Sequence, residues 1–139
     1  MDRRLDESLR QFVKFAVVGG LGTVVNLVVL KAALYVWGLA ATTTPFAAEA
    51  FASGLAFSVA VVHNYLLNRW WTFRSRGSVA GEFARFLAVS LLGLGLNELA
   101  FWLFRAQVGL GVVVSQLGAI ACVLPFNFTV NKLWSFRGA

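Results

Sequence analysis

Four long apolar runs, separated by short polar segments, dominate the pattern of the chain. They cover residues 12–37, 45–67, 83–104 and 112–130. The hydrocarbon core of a bilayer is crossed by about 20 helical residues, with a range of about 17–25. Each run therefore predicts a transmembrane helix. Together they predict an all-α integral membrane protein that crosses the bilayer four times.

Two prolines bear on the ends and the shape of these helices. Thr44 followed by Pro45 is typical of an N-cap and a first-turn proline, and this pair predicts the start of the second helix. Pro125 lies inside the fourth run and removes one backbone hydrogen bond. We therefore expect a kink just before Asn127.

The segment ahead of the first run permits two interpretations. Residues 1–11 carry charges of both signs, while Leu5, Leu9 and Phe12 recur at helical spacing. This pattern predicts either a short amphipathic helix on the membrane surface or a frayed, solvated tail.

One motif occurs twice, each time at the end of an apolar run. Residues 64–74 read NYLLNRWWTFR and residues 127–137 read NFTVNKLWSFR. Eight of the eleven positions keep their identity or chemistry: Asn64/Asn127, Tyr65/Phe128, Asn68/Asn131, Arg69/Lys132, Trp71/Trp134, Thr72/Ser135, Phe73/Phe136 and Arg74/Arg137. Asparagines four residues apart share one helix face. A cation and interfacial aromatics after them are typical of a helix leaving a membrane.

A second internal match shows that the duplication includes the odd-numbered helices. Residues 12–26 align with residues 83–97 at an offset of 71, whereas the closing motifs align at an offset of 63. The chain therefore predicts one transmembrane domain, 1–139, built from two parallel two-helix repeats of about 12–74 and 83–137. Because both repeats have the same orientation, we expect a pseudo-twofold axis along the membrane normal.

Composition and charge support a lipid-facing surface. The chain is 59% hydrophobic and only 13% charged, whereas soluble domains carry nearer a quarter charged residues. Its cations lie at the ends of the apolar runs, which indicates a topology signal rather than nucleic-acid binding. Ten of twelve are on one side: Arg3, Arg4, Arg10, Lys14, Arg69, Arg74, Arg76, Arg85, Lys132 and Arg137. The positive-inside rule then predicts a multi-pass protein of the cytoplasmic (inner) membrane, with both termini in the cytoplasm.

No pattern of catalysis accompanies these spans. The sequence contains a single cysteine, Cys122, and lacks a nucleophile–base pair, paired carboxylates, metal-ligand spacing and a phosphate-binding glycine loop. We therefore expect no enzymatic activity, no cofactor and no metal site.

Polar residues within the spans are the candidate substrate ligands, because each must be satisfied where water is scarce. Counting 1.5 Å per residue from Lys14 and Arg85 places Asn26 and Asn97 ~18 Å into the membrane. The full candidate set is Asn64, Asn68, Arg69, Asn127, Asn131 and Lys132 at the cytoplasmic end, Asn26, Asn97 and Glu98 in the interior, and Lys31 and Glu49 near the outer boundary. Cations and amides suit a phosphate and the hydroxyls of a sugar.

Several of these residues also have a purely structural interpretation. Asn26 and Asn97 could bond across helices, and Lys31 could reach outward to pair with Glu49. Glu98 is the strongest single candidate for function. A carboxylate at that depth costs about 2.5–3.5 kcal/mol unless it is partnered or protonated.

These residues resemble the GtrA-like family of small four-span membrane proteins. The resemblance rests on F-x-x-F-x-x-x-G-x-x-x-T/G-x-x-N, here Phe12, Phe15, Gly19, Thr23 and Asn26, and on N-x-x-x-N-R/K-x-W-T/S-F at the close of each repeat. It covers about residues 12–137. The second copy departs from the pattern, since Ser90 replaces Gly19 and Leu94 replaces Thr23. The resemblance implies that the protein moves polyprenyl-phosphate-linked monosaccharides across the cytoplasmic membrane for cell-envelope polysaccharide synthesis or glycosylation.

Three functions follow as hypotheses, and translocation (flipping) of such a sugar lipid leads. The second is a non-transporting partner that docks or stabilises a polyprenyl-sugar glycosyltransferase. The third is a small proton-coupled exporter, although its first helix would be expected to carry an acid where this chain has Lys31. Expected partners are the polyprenyl-phosphate sugar lipid and membrane glycosyltransferases, with no nucleic acid. Because four short helices enclose little volume, the sequence is also compatible with a homodimer that forms the path.

Overall fold

Four long helices make up most of the protein. The computed structural model describes residues 3–40 and 46–137. The helices are α1 Arg3–Ala40, α2 Phe46–Leu67, α3 Val79–Trp102 and α4 Val112–Val130. All four are long and apolar enough to cross a membrane, and the described residues include no strand. The prediction of an all-α, four-span membrane protein is confirmed.

Two helices begin earlier than their apolar runs. Residues 3–11 are helical and continue directly into the first span, so this segment is neither a separate surface helix nor a frayed tail. The third helix begins at Val79 because the hydroxyl of Ser78 accepts a hydrogen bond from the backbone N–H of Gly81 as an N-cap. Thr44 and Pro45, predicted to start the second helix, lie outside the described residues.

Both copies of the repeated motif end in a π-helical turn, which the sequence did not predict. The turns are Asn68–Thr72 and Asn131–Ser135, and a third, Leu103–Gln107, follows α3. The N–H of Phe73 donates to the carbonyl of Asn68 at 2.8 Å, and the N–H of Phe136 donates to that of Asn131 at 2.9 Å. A π turn accommodates one more residue than an α turn. The residues that follow, Phe73 and Phe136, are consequently buried in the interior.

The core lies at the end of the bundle that carries the repeated motifs, here termed the motif end. Its buried cluster comprises Val61 and five aromatic residues, and the partly buried Phe128 packs against them. The six rings are those of Phe15, Tyr65, Phe73, Phe86, Phe128 and Phe136. The rings of Phe73 and Phe136 stack at its centre, with centroids 4.8 Å apart. We refer to these six rings as the aromatic floor.

Ring contacts in the aromatic floor occur in matching pairs. Phe15 contacts Phe73 at 6.1 Å, and the residues at the equivalent offsets, Phe86 and Phe136, are 5.9 Å apart. Likewise, Phe15–Phe128 and Tyr65–Phe86 are both 5.8 Å between centroids. We propose on this basis that the chain contains two repeats, of about residues 12–74 and 83–137. An approximate twofold axis that relates them would pass between Phe73 and Phe136.

The helices form two hairpins, α1–α2 and α3–α4. Within each hairpin the helices pack closely, whereas α1 with α4 and α2 with α3 touch at only a few positions. The hydrogen bonds and ring contacts that join the hairpins within the described ranges lie at the motif end, for example Tyr65 Oη to the carbonyl of Val79 at 2.8 Å and Lys132 Nζ to Ser8 Oγ at 2.7 Å. The hairpins therefore separate away from this end and leave a cavity between them.

Candidate functional site

A cavity of about 400 Å³ lies between the hairpins, on the side of the aromatic floor away from the motif end. All four helices contribute to its lining. Six asparagines predicted as substrate ligands meet there: Asn26, Asn64, Asn68, Asn97, Asn127 and Asn131. We call this space the asparagine cavity. It gathers three candidates from each repeat, although they are spread over more than a hundred residues of sequence.

The remaining walls of the cavity are apolar or weakly polar. Phe15 and Phe86 belong to both the cavity lining and the aromatic floor, so they close the cavity toward the motif end. Ser90 and Leu94 also line it, as do Gly19 and Thr23 at the equivalent positions of the first repeat. The departures of the second repeat from the family pattern thus fall within the cavity itself.

Two glycines create the space in which two of the amides lie. A Cβ atom placed on Gly22 would overlap the side-chain amide of Asn64, and one on Gly93 would overlap the amide of Asn127. Both glycines are buried, and they occupy the same position in the two repeats. Close approach of neighbouring helices at small residues is a common feature of membrane helix packing. Here it positions an amide at the cavity wall in each hairpin.

Several of the amide oxygens have no hydrogen-bond partner among the described residues. Asn68 and Asn131 are each only 2% exposed, yet their Oδ1 atoms accept no hydrogen bond, and Oδ1 of Asn127 is in the same situation. Asn131 donates through Nδ2 to the backbone carbonyl of Asn127 at 2.9 Å. These three oxygens are shielded from solvent and hence from the open space of the cavity. The asparagines that are only partly buried, and so can face that space, are Asn26, Asn64, Asn97 and Asn127.

The two predicted cations of the motifs are paired within the protein and do not line the cavity. Arg69 forms a buried ion pair with Glu82 and also donates to the carbonyl of Gly77 at 2.8 Å. Lys132, at the equivalent position, bonds to Ser8 and lies 5.7 Å from the ring centroid of Phe128. Each contact joins the end of one repeat to the beginning of the other. Their role as substrate ligands stays a prediction.

The charged candidates farther from the motif end also lie outside the cavity lining. Glu98 follows Asn97 on α3 but is exposed on the surface of the bundle, as are Lys31 on α1 and Glu49 on α2. Contact of these residues with substrate, and the pairing of Lys31 with Glu49, stay predictions.

Glu82 is the residue that sequence reasoning missed. It is 1% exposed, accepts a hydrogen bond from the hydroxyl of Ser75, and neutralises Arg69. A signal was present, since Glu82 is the only acidic residue between Glu49 and Glu98 and lies four residues after the helix-capping Ser78.

Cations in the motif-end parts of α1 and α3 bind the ends of the neighbouring helices. Lys14 Nζ donates to the carbonyl of Trp71 at 3.3 Å, and Arg85 donates to that of Ser135 at 3.1 Å. A positive charge near a helix C-terminus is favourable because the last carbonyls lack partners. These two cations therefore contribute to closing each hairpin.

Comparison with known proteins identifies the family. The pattern of the family described as "GtrA/DPMS, transmembrane domain" matches residues 14–136, which is most of the chain. The chain belongs to this family. The resemblance inferred from the two motifs is thereby confirmed. The GtrA/DPMS family is linked to the handling of polyprenyl-phosphate sugars, and its GtrA-like members are in general non-catalytic membrane proteins.

A curated relative agrees with this assignment. The chain is 32% identical over 82 residues to "Uncharacterized membrane protein YngA" of Bacillus subtilis (strain 168). The match covers 58% of this chain and 55% of that relative, so it spans only about half the length of the relative. This similarity supports a membrane protein and carries no statement of substrate.

Proposed function

We propose that this protein translocates a polyprenyl-phosphate-linked monosaccharide across the cytoplasmic membrane, for cell-envelope polysaccharide synthesis or glycosylation. The observation that carries the proposal is the asparagine cavity, a space between the hairpins whose uncharged lining includes six asparagines. Membership of a family linked to polyprenyl-phosphate sugars supports the choice of ligand.

The mechanism is a replacement of hydration. A sugar has hydroxyls that both donate and accept, and asparagine amides offer the complementary groups. When the sugar leaves the water, hydrogen bonds to the accessible amides of the cavity take the place of its hydration. The gap between the hairpins leaves room for the polyprenyl chain to stay in the hydrocarbon. No bond is made or broken, so we propose a carrier rather than an enzyme, without a cofactor.

The orientation of the bundle is part of the proposal. Most of the cations are at the motif end or in the segments that flank it, so we place this end in the cytoplasm and both termini with it. A fluorescent protein that folds only in the cytoplasm should be bright when fused after residue 139 and dark when inserted at residues 108–111. The reverse pattern would contradict the orientation.

Reconstitution tests the function directly. Purified protein in liposomes should accelerate the exchange of a labelled undecaprenyl-phosphate sugar between leaflets over protein-free vesicles. Folded protein that leaves the rate unchanged would refute translocation. If it also co-purified with a polyprenyl-sugar glycosyltransferase, the docking function would be correct instead. A homodimer stays a prediction, and chemical crosslinking in the same vesicles would test it.

A further inference from the structure

We propose that the asparagine cavity selects an uncharged sugar and excludes the phosphate, so that the phosphate stays outside the cavity during transfer. This inference rests on the proposed function and specifies which part of the lipid the site recognises. It differs from the expectation from sequence, in which Arg69, Lys132 and the asparagines together formed one site for phosphate and sugar.

The lining of the asparagine cavity is uncharged. All 21 residues that line the cavity carry uncharged side chains. An anion that moved into this space would lose its hydration without gaining a counter-charge. The cost of such a transfer is several kcal/mol even after relaxation. A neutral sugar does not meet this penalty.

The cations nearest to the cavity are held in contacts at the motif end. Lys14 and Arg85 directly precede Phe15 and Phe86, the two rings that close the cavity, and both bind backbone carbonyls at the motif end. Arg69 is neutralised by Glu82. The cations are thus held on the other side of the aromatic floor. Recruiting them into the cavity would break contacts that hold the helix ends together.

The asparagine side chains of the lining offer donors as well as acceptors, because each amide carries an NH₂ group and a carbonyl oxygen. Sugar hydroxyls donate hydrogen bonds, whereas ionised phosphate and carboxylate oxygens only accept them. The volume agrees, since about 400 Å³ is near the lower limit of about 300–1,000 Å³ for small-molecule sites. It accommodates a sugar ring and not a polyprenyl chain.

Binding measurements on the intact protein in nanodiscs, free of sugar detergents, test the inference. The probes are undecaprenyl phosphate and its glucose, mannose and glucuronate conjugates. We compare the affinity of the tighter-binding neutral conjugate with the affinities of undecaprenyl phosphate and of the glucuronate conjugate. We expect the neutral conjugate to bind about ten-fold more tightly than either, a difference of the size that one or two hydrogen bonds provide. Equal binding of undecaprenyl phosphate, or of the glucuronate conjugate, would overturn the inference.

Variants locate the selectivity. Asn26→Ala with Asn97→Ala should abolish the preference for the neutral sugar while leaving the affinity for undecaprenyl phosphate unchanged, because these two partly buried amides line the cavity at equivalent positions. Ser58→Ala is a matched control, because this exposed hydroxyl donates a hydrogen bond within its own helix, to the carbonyl of Gly54, and Ser58 is not part of the cavity lining. An equal loss of affinity for all four lipids in the double variant would overturn the assignment. If the double variant fails to fold, the order of affinities in the wild-type protein decides the matter.

This test is independent of transport. Selective binding of neutral sugar lipids without exchange would retain the cavity assignment and refute translocation. Exchange without selectivity among the four probes would retain translocation and refute the inference.

Discussion

Gly22 and Gly93 are positions in the cavity wall at which small size is directly required. Each has an asparagine amide lying where a Cβ would be. By contrast, Gly20 and Gly95 are exposed, and a Cβ on either would meet nothing within 4 Å. The four glycines therefore form two test positions and two neighbouring controls.

Alanine at the two test positions should displace Asn64 or Asn127 from the cavity wall. We expect Gly22→Ala and Gly93→Ala each to lower the free energy of unfolding by about 1–3 kcal/mol, as overpacking does, and to reduce sugar-lipid exchange. Gly20→Ala and Gly95→Ala should leave both properties near wild type. Unfolding in a denaturing detergent and the liposome assay provide the measurements. Equal effects at all four glycines would contradict the described contacts.

Sequence alone identified the six asparagines of the cavity but not their common location. Asparagines four residues apart share a helix face, and the duplication supplied the second set. Spacing within one helix gives no distance to a residue on another helix. For this reason the sequence did not separate the asparagines, which meet, from Glu98, which lies outside the cavity lining.

At the scale of elements, the ends of the helices carry the contacts that join the two repeats. Arg69 lies in the π turn after α2 and pairs with Glu82 in the first turn of α3. Lys132 lies in the π turn after α4 and bonds to Ser8 in α1. One of these equivalent contacts is a buried ion pair, whereas the other joins a cation to a neutral hydroxyl. Removing one partner should therefore destabilise the protein more at the Arg69–Glu82 ion pair than at the Lys132–Ser8 contact.

Removing Glu82 should therefore be strongly destabilising. Glu82→Gln leaves Arg69 buried without its counter-charge, and we expect a loss of about 3–5 kcal/mol in unfolding free energy. The double change Arg69→Met with Glu82→Leu should recover much of that loss, because it removes both charges together. The control is Arg76→Met at an exposed position of the same connection. Additive losses in the double variant, or a Glu82→Gln protein as stable as wild type, would contradict this account.

The four spans were predictable because a run of about 20 apolar residues is long enough to cross the hydrocarbon core as a helix. The true starts of α1 and α3 were not predictable. Hydropathy marks only the part of a helix that crosses the hydrocarbon, and both helices extend beyond that part. The π turns were also not predictable. They depend on the burial of Phe73 and Phe136 against rings from the other repeat, which is a tertiary contact.

At the scale of the whole molecule, two hairpins meet at the aromatic floor and separate beyond it. The duplication was readable in the sequence through its constant offsets, and matching contacts in the floor support it. The position of the cavity was not readable, because it depends on which ends of the hairpins touch. The central claim is that this cavity carries the sugar end of a polyprenyl-phosphate lipid through the membrane.

Exchange rates of asparagine variants test that claim most directly. Liposomes containing equal amounts of folded Asn26→Ala, Asn97→Ala or the double variant are compared with wild type, with Ser58→Ala as the control. We predict a rate lowered about ten-fold by each single change, as for loss of one hydrogen bond that a buried site requires. The double variant should approach the protein-free rate, and the control should match wild type. A folded double variant that exchanges the sugar lipid at the wild-type rate would contradict the account.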